Sequence, residues 1–346
     1  MRRPDESTRL LDSKDDVAPA TTPFAALTVA GRTAADSTPS PSKIRLPQAI
    51  AHRGYKAAFP ENSMAAFRSA ADVGAHAIET DLHLSRDGVV VLSHDASLKR
   101  CFGIDKKVAD CDWSYLSTLT TLREPKQSLP RLVDLLEYLA RPEAEHIWLL
   151  LDVKTHDDAS QLLRGIAQAV ASVPPKRPWT SRVMIGCWDA NYVRLSLKHL
   201  SGFPMAYIGV DLAYAHALLA TVPNVHFNLL QQTLAGPCGA RFLARAHRRG
   251  RAVFAWTVNT EAWMEWDIGR GLDGVVTDDP KLFLEVCDRF REEHAAGVNE
   301  TRRPVRWSAR RVFDMAWVYV LLGIYLVVVR SRYGGPRRRV EKALSK

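Results

Sequence analysis

Four short groups of polar residues in the first half of the chain have the types and spacing that acid–base and metal chemistry require. Each group ends or follows a short apolar run, where strand ends and loops are expected. Histidine can accept and donate a proton near neutral pH, carboxylates bind divalent cations, and arginine or lysine binds anions. The residues are His52, Arg53, Glu79, Asp81, His94, Asp152 and Lys154. Together they predict metal-assisted cleavage of a phosphodiester.

The carboxylates are the predicted metal ligands. Glu79 and Asp81 are two residues apart in a predicted strand, so both side chains point to one face while Ile78 and Leu82 take the other. Neighbouring carboxylates in a partly buried site repel each other unless a cation or a proton intervenes. Oxygen ligands favour one hard divalent cation, Mg²⁺ or Ca²⁺, and Asp152 would complete the set. Alone, such an acidic pair would be more typical of an exposed face or a salt bridge.

The two histidines are the predicted acid–base pair. His52 and His94 each follow a short apolar strand, and barrel enzymes carry catalytic groups at strand ends. One imidazole would deprotonate the nucleophile and the other would protonate the leaving oxygen, in an order that the sequence leaves open. Arg53 and Lys154 are predicted to bind the phosphate oxygens and to offset charge in the transition state. Asn62 or Ser63 is expected to cap the first helix.

These groups must be positioned by a repeated strand–helix pattern. The predicted helices lie between the strands, which favours a parallel sheet. About eight such units favour closure into a (β/α)8 TIM barrel. The alternative, a doubly wound open sheet, is less favoured because no GxGxxG motif follows the first strand. Residues 95–130 contain no clear strand and are predicted to be an insertion beside the site. The predicted strands are Gln48–Ala51, Ala77–Leu84, Val89–Ser93, Ile147–Val153, Val183–Cys187, Met205–Ile208, Val225–Leu229, Ala252–Val258 and Gly274–Thr277.

Composition divides the chain into five parts. Residues 1–46 are predicted to be a disordered arm without a secretory signal, and 47–295 a catalytic barrel. A basic linker over 296–311, an apolar membrane segment over 312–329 and a basic tail over 330–346 follow. The last 46 residues hold twelve Lys/Arg and two Asp/Glu, so this end carries +10, the rest carries −1, and the whole chain carries +9. The body therefore gives no sign of a nucleic-acid partner, and no obligate protein partner is implied.

The apolar segment predicts attachment to a phospholipid membrane. Eighteen residues make a helix of roughly 27 Å, which is marginal for a hydrocarbon core of roughly 30 Å. Arginines flank both ends, so a re-entrant or interfacial insertion would keep both clusters at the anionic cytosolic face, whereas a single span would separate them. Five scattered cysteines suit reduced thiols. The catalytic domain is therefore expected to face the cytosol, at the ER, the mitochondrial surface or lipid droplets.

Several motifs resemble the glycerophosphodiester phosphodiesterase family over residues 47–290. They are His52-Arg53-Gly54, Pro60-Glu61-Asn62, Ile78-Glu79-Thr80-Asp81, Arg86-Asp87-Gly88, Ser93-His94-Asp95, Asp152-Val153-Lys154, Ala255-Trp256-Thr257-Val258-Asn259 and Asp273-Gly274-Val275-Val276-Thr277-Asp278. The resemblance implies a TIM barrel, His52 and His94 as acid and base, and Glu79 and Asp81 as metal ligands. Asp152 stands where the family often has glutamate, and Trp256 would line the substrate pocket.

With its apolar C-terminal segment, the chain most resembles the fungal branch that acts as phosphatidylglycerol phospholipase C. The expected reaction is cleavage of phosphatidylglycerol to diacylglycerol and glycerol phosphate. The alternatives are a phosphodiesterase for deacylated glycerophosphodiesters and a lysophospholipase D. A non-catalytic membrane adaptor is the least favoured, because the histidines and carboxylates are all present.

Overall fold

The computed structural model of the protein describes residues 45–296 and 309–345. The nine predicted strands are all confirmed, with shifts of one or two residues at some ends. The strands are β1 Gln48–His52, β2 Ala77–Leu84, β3 Val90–Leu92, β4 Trp148–Val153, β5 Val183–Cys187, β6 Met205–Gly209, β7 Val225–Leu230, β8 Val253–Trp256 and β9 Gly274–Thr277.

Helices follow the strands along the chain. Those around the barrel are α1 Met64–Asp72, α4 Leu132–Leu139, α5 Ala159–Ser172, α6 Ala190–His199, α7 Leu212–Thr221, α8 Gln231–Leu234, α9 Pro237–Arg248, α10 Glu261–Arg270 and α11 Pro280–Ala295. The short α2 Lys99–Phe102 and α3 Trp113–Leu116 lie in the insertion, and α12 Ala309–Tyr333 and α13 Pro336–Leu344 end the chain.

Eight parallel strands form a closed barrel. The strand order is β1-β9-β8-β7-β6-β5-β4-β2, and β1 also pairs with β2, which closes the ring. Every pairing within this ring is parallel. The predicted (β/α)8 barrel is therefore confirmed, and the carboxyl ends of all eight strands meet at one open end, which we call the mouth.

The predicted strand at Val89–Ser93 is not a barrel unit. β3 pairs antiparallel with the end of β2 and lies outside the ring. Because β2 is eight residues long, its last residues extend beyond the barrel and bind this returning strand. The insertion over residues 95–130 follows, with two short helices and its own apolar cluster, which includes Leu98, Phe102 and Leu116.

Alternating side chains give the barrel two apolar layers. In β4, Trp148 and Leu150 point inward with Ile50, Met184 and Phe254, among others. Leu149 and Leu151 point outward into the larger cluster beneath the helices. The same alternation carries Asp152, two residues after Leu150, to the inner side at the mouth.

Parts of the predicted division fall outside the described residues. Residues 1–44 of the arm and 297–308 of the linker are among them. Leu46 packs against the core and Arg45 pairs with Asp273. Within α12, residues Ala316–Tyr333 are long and apolar enough to cross a membrane, and none of this window is buried inside the protein. By length and composition, this segment could anchor the protein to a membrane.

Candidate active site

Three buried carboxylates converge on the inner side of the mouth. Glu79 and Asp81 lie on β2, and Asp152 lies beside Asp81 in the register of β4. These side chains are almost fully buried. Each offers one oxygen, and the three oxygens lie within 4.8 Å of one another. The structure thus brings together all three predicted ligands.

The electrostatics of these carboxylates fit a divalent cation. Burial raises the pKa of Glu79 well above its usual range, and the Asp81 and Asp152 carboxylates raise it further. Burial also raises the pKa of Asp152. A cation among the three oxygens would relieve this repulsion, and an all-oxygen ligand set suits a hard ion.

Lys154 and Arg53 lie against the same carboxylates. The ammonium of Lys154 is 2.7 Å from Asp81 Oδ1 and 2.6 Å from Asp152 Oδ2. The guanidinium Nε of Arg53 is 3.1 Å from Asp81 Oδ2, and its backbone N–H donates to Glu79 Oε2 at 3.0 Å. Burial alone would raise the pKa of Asp81, but these two cations outweigh it and lower that pKa. Both predicted phosphate-binding cations are therefore at the site.

His52 occupies the end of β1, where the register pairs it with Glu79. Its Nδ1 lies 2.5 Å from Asp278 Oδ1, and its Nε2 lies 4.0 Å from Glu79 Oε2. Because a carboxylate accepts, Nδ1 carries the proton in this bond and Nε2 faces the carboxylates. Lys56 Nζ and Asn259 Nδ2 donate to the other oxygen of Asp278 at 3.2 and 3.0 Å.

His94 reaches the site by a different route from the one predicted. It follows β3, so it projects from a hairpin rather than from the end of a barrel strand. The backbone N–H of Ser93 donates to the carbonyl of Asp81 at 3.0 Å, which folds the hairpin back over the mouth. His94 Nδ1 lies 2.8 Å from Asp95 Oδ1, and Arg100 Nε donates to Asp95 Oδ2 at 2.6 Å. Burial lowers the pKa of His94, an effect that the Asp81 carboxylate opposes.

The two imidazoles are held in the same way. In each, Nδ1 faces an aspartate, Asp278 for His52 and Asp95 for His94, and Nε2 is left for proton transfer. The pKa of Asp278 would rise through burial alone, but the hydrogen bond and charge of His52 lower it to about 2. Burial alone would raise the pKa of Asp95, but hydrogen bonds from Arg100 and His94 lower it. Both aspartates are therefore charged at neutral pH and would stabilise an imidazolium.

Several supporting residues were missed by sequence reasoning. Asn62 does not cap the first helix; its Nδ2 donates to Asp81 Oδ2 at 2.8 Å, while its Oδ1 accepts from Thr80 Oγ1 at 2.8 Å. Ser63 is the cap, since its Oγ accepts from the N–H of Ala66. Trp188 Nε1 donates to Asp152 Oδ1 at 2.6 Å. Asn62 belongs to a motif that the sequence already singled out, but nothing local marked Trp188.

Trp256 ends β8 and is partly buried at the mouth. Its Nε1 donates to the carbonyl of Asn228 at 3.0 Å. Its ring meets that of Trp188 edge to face, with centroids 6.0 Å apart. Because Trp188 contacts Asp152, Trp256 is one residue removed from the carboxylates.

A sequence profile of the glycerophosphoryl diester phosphodiesterase family matches residues 52–282. The chain belongs to this family. Its members hydrolyse phosphoric diesters, and the chain is a phosphodiesterase of this kind. The predicted family resemblance is confirmed, and the matched segment contains every residue of the candidate site.

Named relatives cover about 70% of the chain. Mouse lysophospholipase D GDPD1 is 42% identical over 281 residues, covering 70% of this chain and 86% of the relative. A glycerophosphodiester phosphodiesterase of Caldanaerobacter subterraneus is 25% identical over 248 residues, covering 68% and 96%. The crystal structure of a glycerophosphodiester phosphodiesterase from Thermotoga maritima superposes with a TM-score of 0.56 at 26% identity, covering 70% of this chain and 99% of that one.

Proposed function

We propose that the protein is a membrane-bound phosphodiesterase that cleaves phosphatidylglycerol to diacylglycerol and glycerol phosphate, with one Mg²⁺ or Ca²⁺ held by Glu79, Asp81 and Asp152. Family membership supports the broader activity, hydrolysis of glycerophosphodiesters or lysophospholipids. The observation that carries the catalytic part is the pair of aspartate-held imidazoles beside three buried carboxylates. The apolar helix α12 supports a lipid substrate.

The chemistry depends on a hydroxyl next to the phosphoester carbon of the headgroup glycerol. His94, whose pKa is lowered by burial, is neutral at pH 7 and suits the base that takes the hydroxyl proton. The oxygen attacks phosphorus, and the bond from phosphorus to the diacylglycerol oxygen breaks. The imidazolium form of His52, stabilised by Asp278, donates its Nε2 proton to that oxygen. Water then opens the resulting cyclic phosphate to glycerol phosphate, with the proton transfers reversed.

The cation and the two basic side chains would stabilise the negative charge of the phosphate. When bound, the divalent cation would supply positive charge beside the phosphate and make the attacking hydroxyl more acidic. Arg53 and Lys154, which lie against the carboxylates, would bind phosphate oxygens as charge develops on them. Trp256 would form a wall of the substrate pocket.

A lysophospholipase D activity is the second candidate, and the mouse relative favours it. A lysophospholipid also carries a free hydroxyl beside its phosphoester, but on the acylated glycerol. The same attack would then expel the headgroup alcohol and leave the phosphate on the lipid. The two candidates share one site and differ in which glycerol enters it.

Location and partners follow from the substrate. A phospholipid membrane is the proposed partner, with the barrel on the cytosolic side of the ER, the mitochondrial surface or lipid droplets. Neither a nucleic acid nor an obligate protein partner is needed for the proposed reaction.

Product identification separates the candidates. Purified protein is incubated with liposomes that contain phosphatidylglycerol, lysophosphatidylcholine and phosphatidylcholine, with and without a chelator. The proposal predicts diacylglycerol and glycerol phosphate from phosphatidylglycerol, and loss of both with the chelator. Lysophosphatidic acid with free choline would support the second candidate instead. If no lipid is turned over with either metal, the non-catalytic membrane adaptor would be the remaining hypothesis.

A further inference from the structure

The apolar helix α12 lies along the mouth of the barrel. The Tyr319 hydroxyl donates to the carbonyl of Gln232 at 2.9 Å, and the Arg330 guanidinium is 4.0 Å from Asp211 Oδ1. Gln232 follows β7 and Asp211 follows β6, so both contacts are made at the carboxyl ends of strands. The two contacts are eleven residues apart on the helix, or roughly 16 Å. The helix therefore runs along the rim of the mouth instead of away from the barrel.

One side of α12 rests on the protein and the other side is bare. The less exposed residues Val318, Leu322, Leu326 and Val329 recur every three or four positions, which places them in one stripe. The opposite side, which we call the outer face, is apolar and at least about half exposed at each position. The outer face consists of Trp317, Val320, Leu321, Ile324, Tyr325, Val327 and Val328.

The basic segment α13 holds this arrangement in place. Val340 is fully buried and joins the core cluster, while Ala343 and Leu344 pack against it. The guanidinium of Arg339 lies 4.6 Å from the ring centroid of Tyr214 in α7. The Tyr214 hydroxyl accepts the N–H of Ala190, so the ring is fixed between α6 and α7. The tail is thus docked on the barrel, directly after the helix that follows the rim.

We propose that the outer face of α12 is a membrane-docking surface for a phospholipid bilayer, and that α13 clamps it so that the bilayer meets the mouth. This inference rests on the proposed lipid substrate. A contiguous apolar face of this size on a rim is typical of an interaction surface. Trp317 and Tyr325 are of the residue types that are enriched at membrane interfaces. The exposed Arg330, Arg332 and Arg338 lie near one end of the helix, where anionic headgroups would pair with them.

The clamp gives the site direct access to lipid. His52 and His94 lie at the mouth, on the same end of the barrel as the docked helix. A headgroup at the bilayer surface could then enter the mouth while its acyl chains stay in the membrane. Membrane binding alone would not achieve this, because a loosely tethered barrel would present all its faces equally.

The orientation can be measured without any turnover. Cys238 is an exposed native thiol at the start of α9, next to the rim, whereas Cys111, Cys187 and Cys287 are buried. A fluorophore on Cys238, in a Cys101→Ala background, is mixed with phosphatidylcholine–phosphatidylglycerol vesicles whose acyl chains are brominated. The matched control carries the fluorophore at Lys176→Cys in a Cys101→Ala, Cys238→Ser background. Lys176 is exposed in the loop before β5, at the opposite end of the barrel.

Strong quenching at Cys238 with little at Lys176 is the expected result. Val340→Asp should still float with vesicles through α12, but its two labels should be quenched alike. Val340→Ala, which keeps the buried position apolar, should give an intermediate difference and controls for misfolding of the Asp variant. Equal quenching at both positions in the unsubstituted protein overturns the proposal. So does a dimer in solution that Ile324→Ser disrupts, because the outer face would then belong to a second copy.

Activity provides a separate readout. Val340→Asp should lower turnover of phosphatidylglycerol in vesicles roughly tenfold, because the local substrate concentration at the mouth falls. Turnover of water-soluble glycerophosphoglycerol should be unchanged, since Val340 is remote from the site. Unchanged vesicle turnover in this variant would contradict the clamp. If the unsubstituted protein cleaves neither substrate, the proposed function fails, and the quenching experiment still decides the orientation.

Discussion

His52 and Asp278 are 226 residues apart in the chain, yet His52 Nδ1 lies 2.5 Å from Asp278 Oδ1. The barrel makes this contact possible because β1 and β9 are neighbouring strands in the closed ring. The bond fixes the ring so that Nε2 faces Glu79. The first and last strands of the barrel therefore jointly build one half of the acid–base pair.

Asp278→Asn should disable His52 without unfolding the protein. The amide cannot stabilise the imidazolium and can favour the wrong tautomer, so kcat should fall about a hundredfold or more. Asp279→Asn is the matched control, because Asp279 Oδ1 accepts from the N–H of Leu282 and caps α11. Asparagine caps a helix about as well as aspartate, so that variant should keep its stability to within about 0.5 kcal/mol and keep its kcat. Equal kcat values for the two variants would contradict the role assigned to Asp278.

Trp188→Phe should weaken metal binding. The indole N–H donates to Asp152 Oδ1 at 2.6 Å, and removing it frees one predicted ligand to rotate. The metal concentration for half-maximal activity should rise about tenfold or more. Trp179→Phe removes a comparable indole bond, to the carbonyl of Val173, far from the mouth and should leave the metal dependence unchanged. Activity is measured while chelator-treated protein is titrated with Mg²⁺ or with Ca²⁺.

His226 should make the barrel sensitive to acid. Burial lowers the pKa of this histidine to about 4, and its Nδ1 accepts the N–H of Ala252 at 3.0 Å. The folded protein therefore disfavours the proton that the unfolded chain binds below its usual pKa of 6.5. The stabilising contribution is intact above pH 6.5 and is lost as pH falls towards 4, about 3 kcal/mol in all.

The contribution of His226 to the pH dependence of stability is obtained by comparison with the His226→Asn variant. Urea unfolding is measured at pH 7.0, 5.5 and 4.5 for both proteins. The free energy of unfolding should fall more steeply with acid in the unsubstituted protein than in the variant. Parallel curves for the two proteins would show that His226 does not titrate as described.

Two glycine substitutions should have opposite effects on stability. A Cβ at Gly186 in β5 would lie 2.5 Å from Ile208 Cδ1 and 2.8 Å from the carbonyl of Leu151, so Gly186→Ala should destabilise by about 1–3 kcal/mol. A Cβ at Gly269 in α10 would meet nothing within 4 Å, so Gly269→Ala should stabilise by about 0.5–1 kcal/mol. Thermal unfolding of both variants tests the signs. Stabilisation by Gly186→Ala would contradict the close packing at this position of β5, and destabilisation by Gly269→Ala would contradict the open space at that position of α10.

The parts of the site that could be predicted are those set by local periodicity. Glu79 and Asp81 share a face because side chains in a strand alternate, and that rule needs no knowledge of the fold. The pairing of Asp278 with His52 could not be predicted, because it depends on which strands become neighbours. The path of β3 was missed for the same reason, since an apolar run of four residues does not reveal whether the strand runs parallel or antiparallel to its neighbour.

The C-terminal segment shows a second limit. Its run of arginines predicted a tail facing anionic lipid, and so many basic residues leave no apolar periodicity that would predict packing on the barrel. The docking of α13 depends on the buried Val340, on Ala343 and Leu344 beside it, and on Arg339 stacking over Tyr214. These contacts join segments more than a hundred residues apart, which periodicity within the tail cannot reveal.

If His52 and His94 act as acid and base on a phospholipid headgroup, removing either imidazole should stop turnover without affecting membrane binding. We would measure kcat for phosphatidylglycerol in vesicles, together with vesicle flotation, for His52→Ala and His94→Ala. Each variant should lose at least about a hundredfold in kcat while binding vesicles normally, and the exposed His146→Ala should match the unsubstituted protein. Substantial turnover in both site variants would contradict the account.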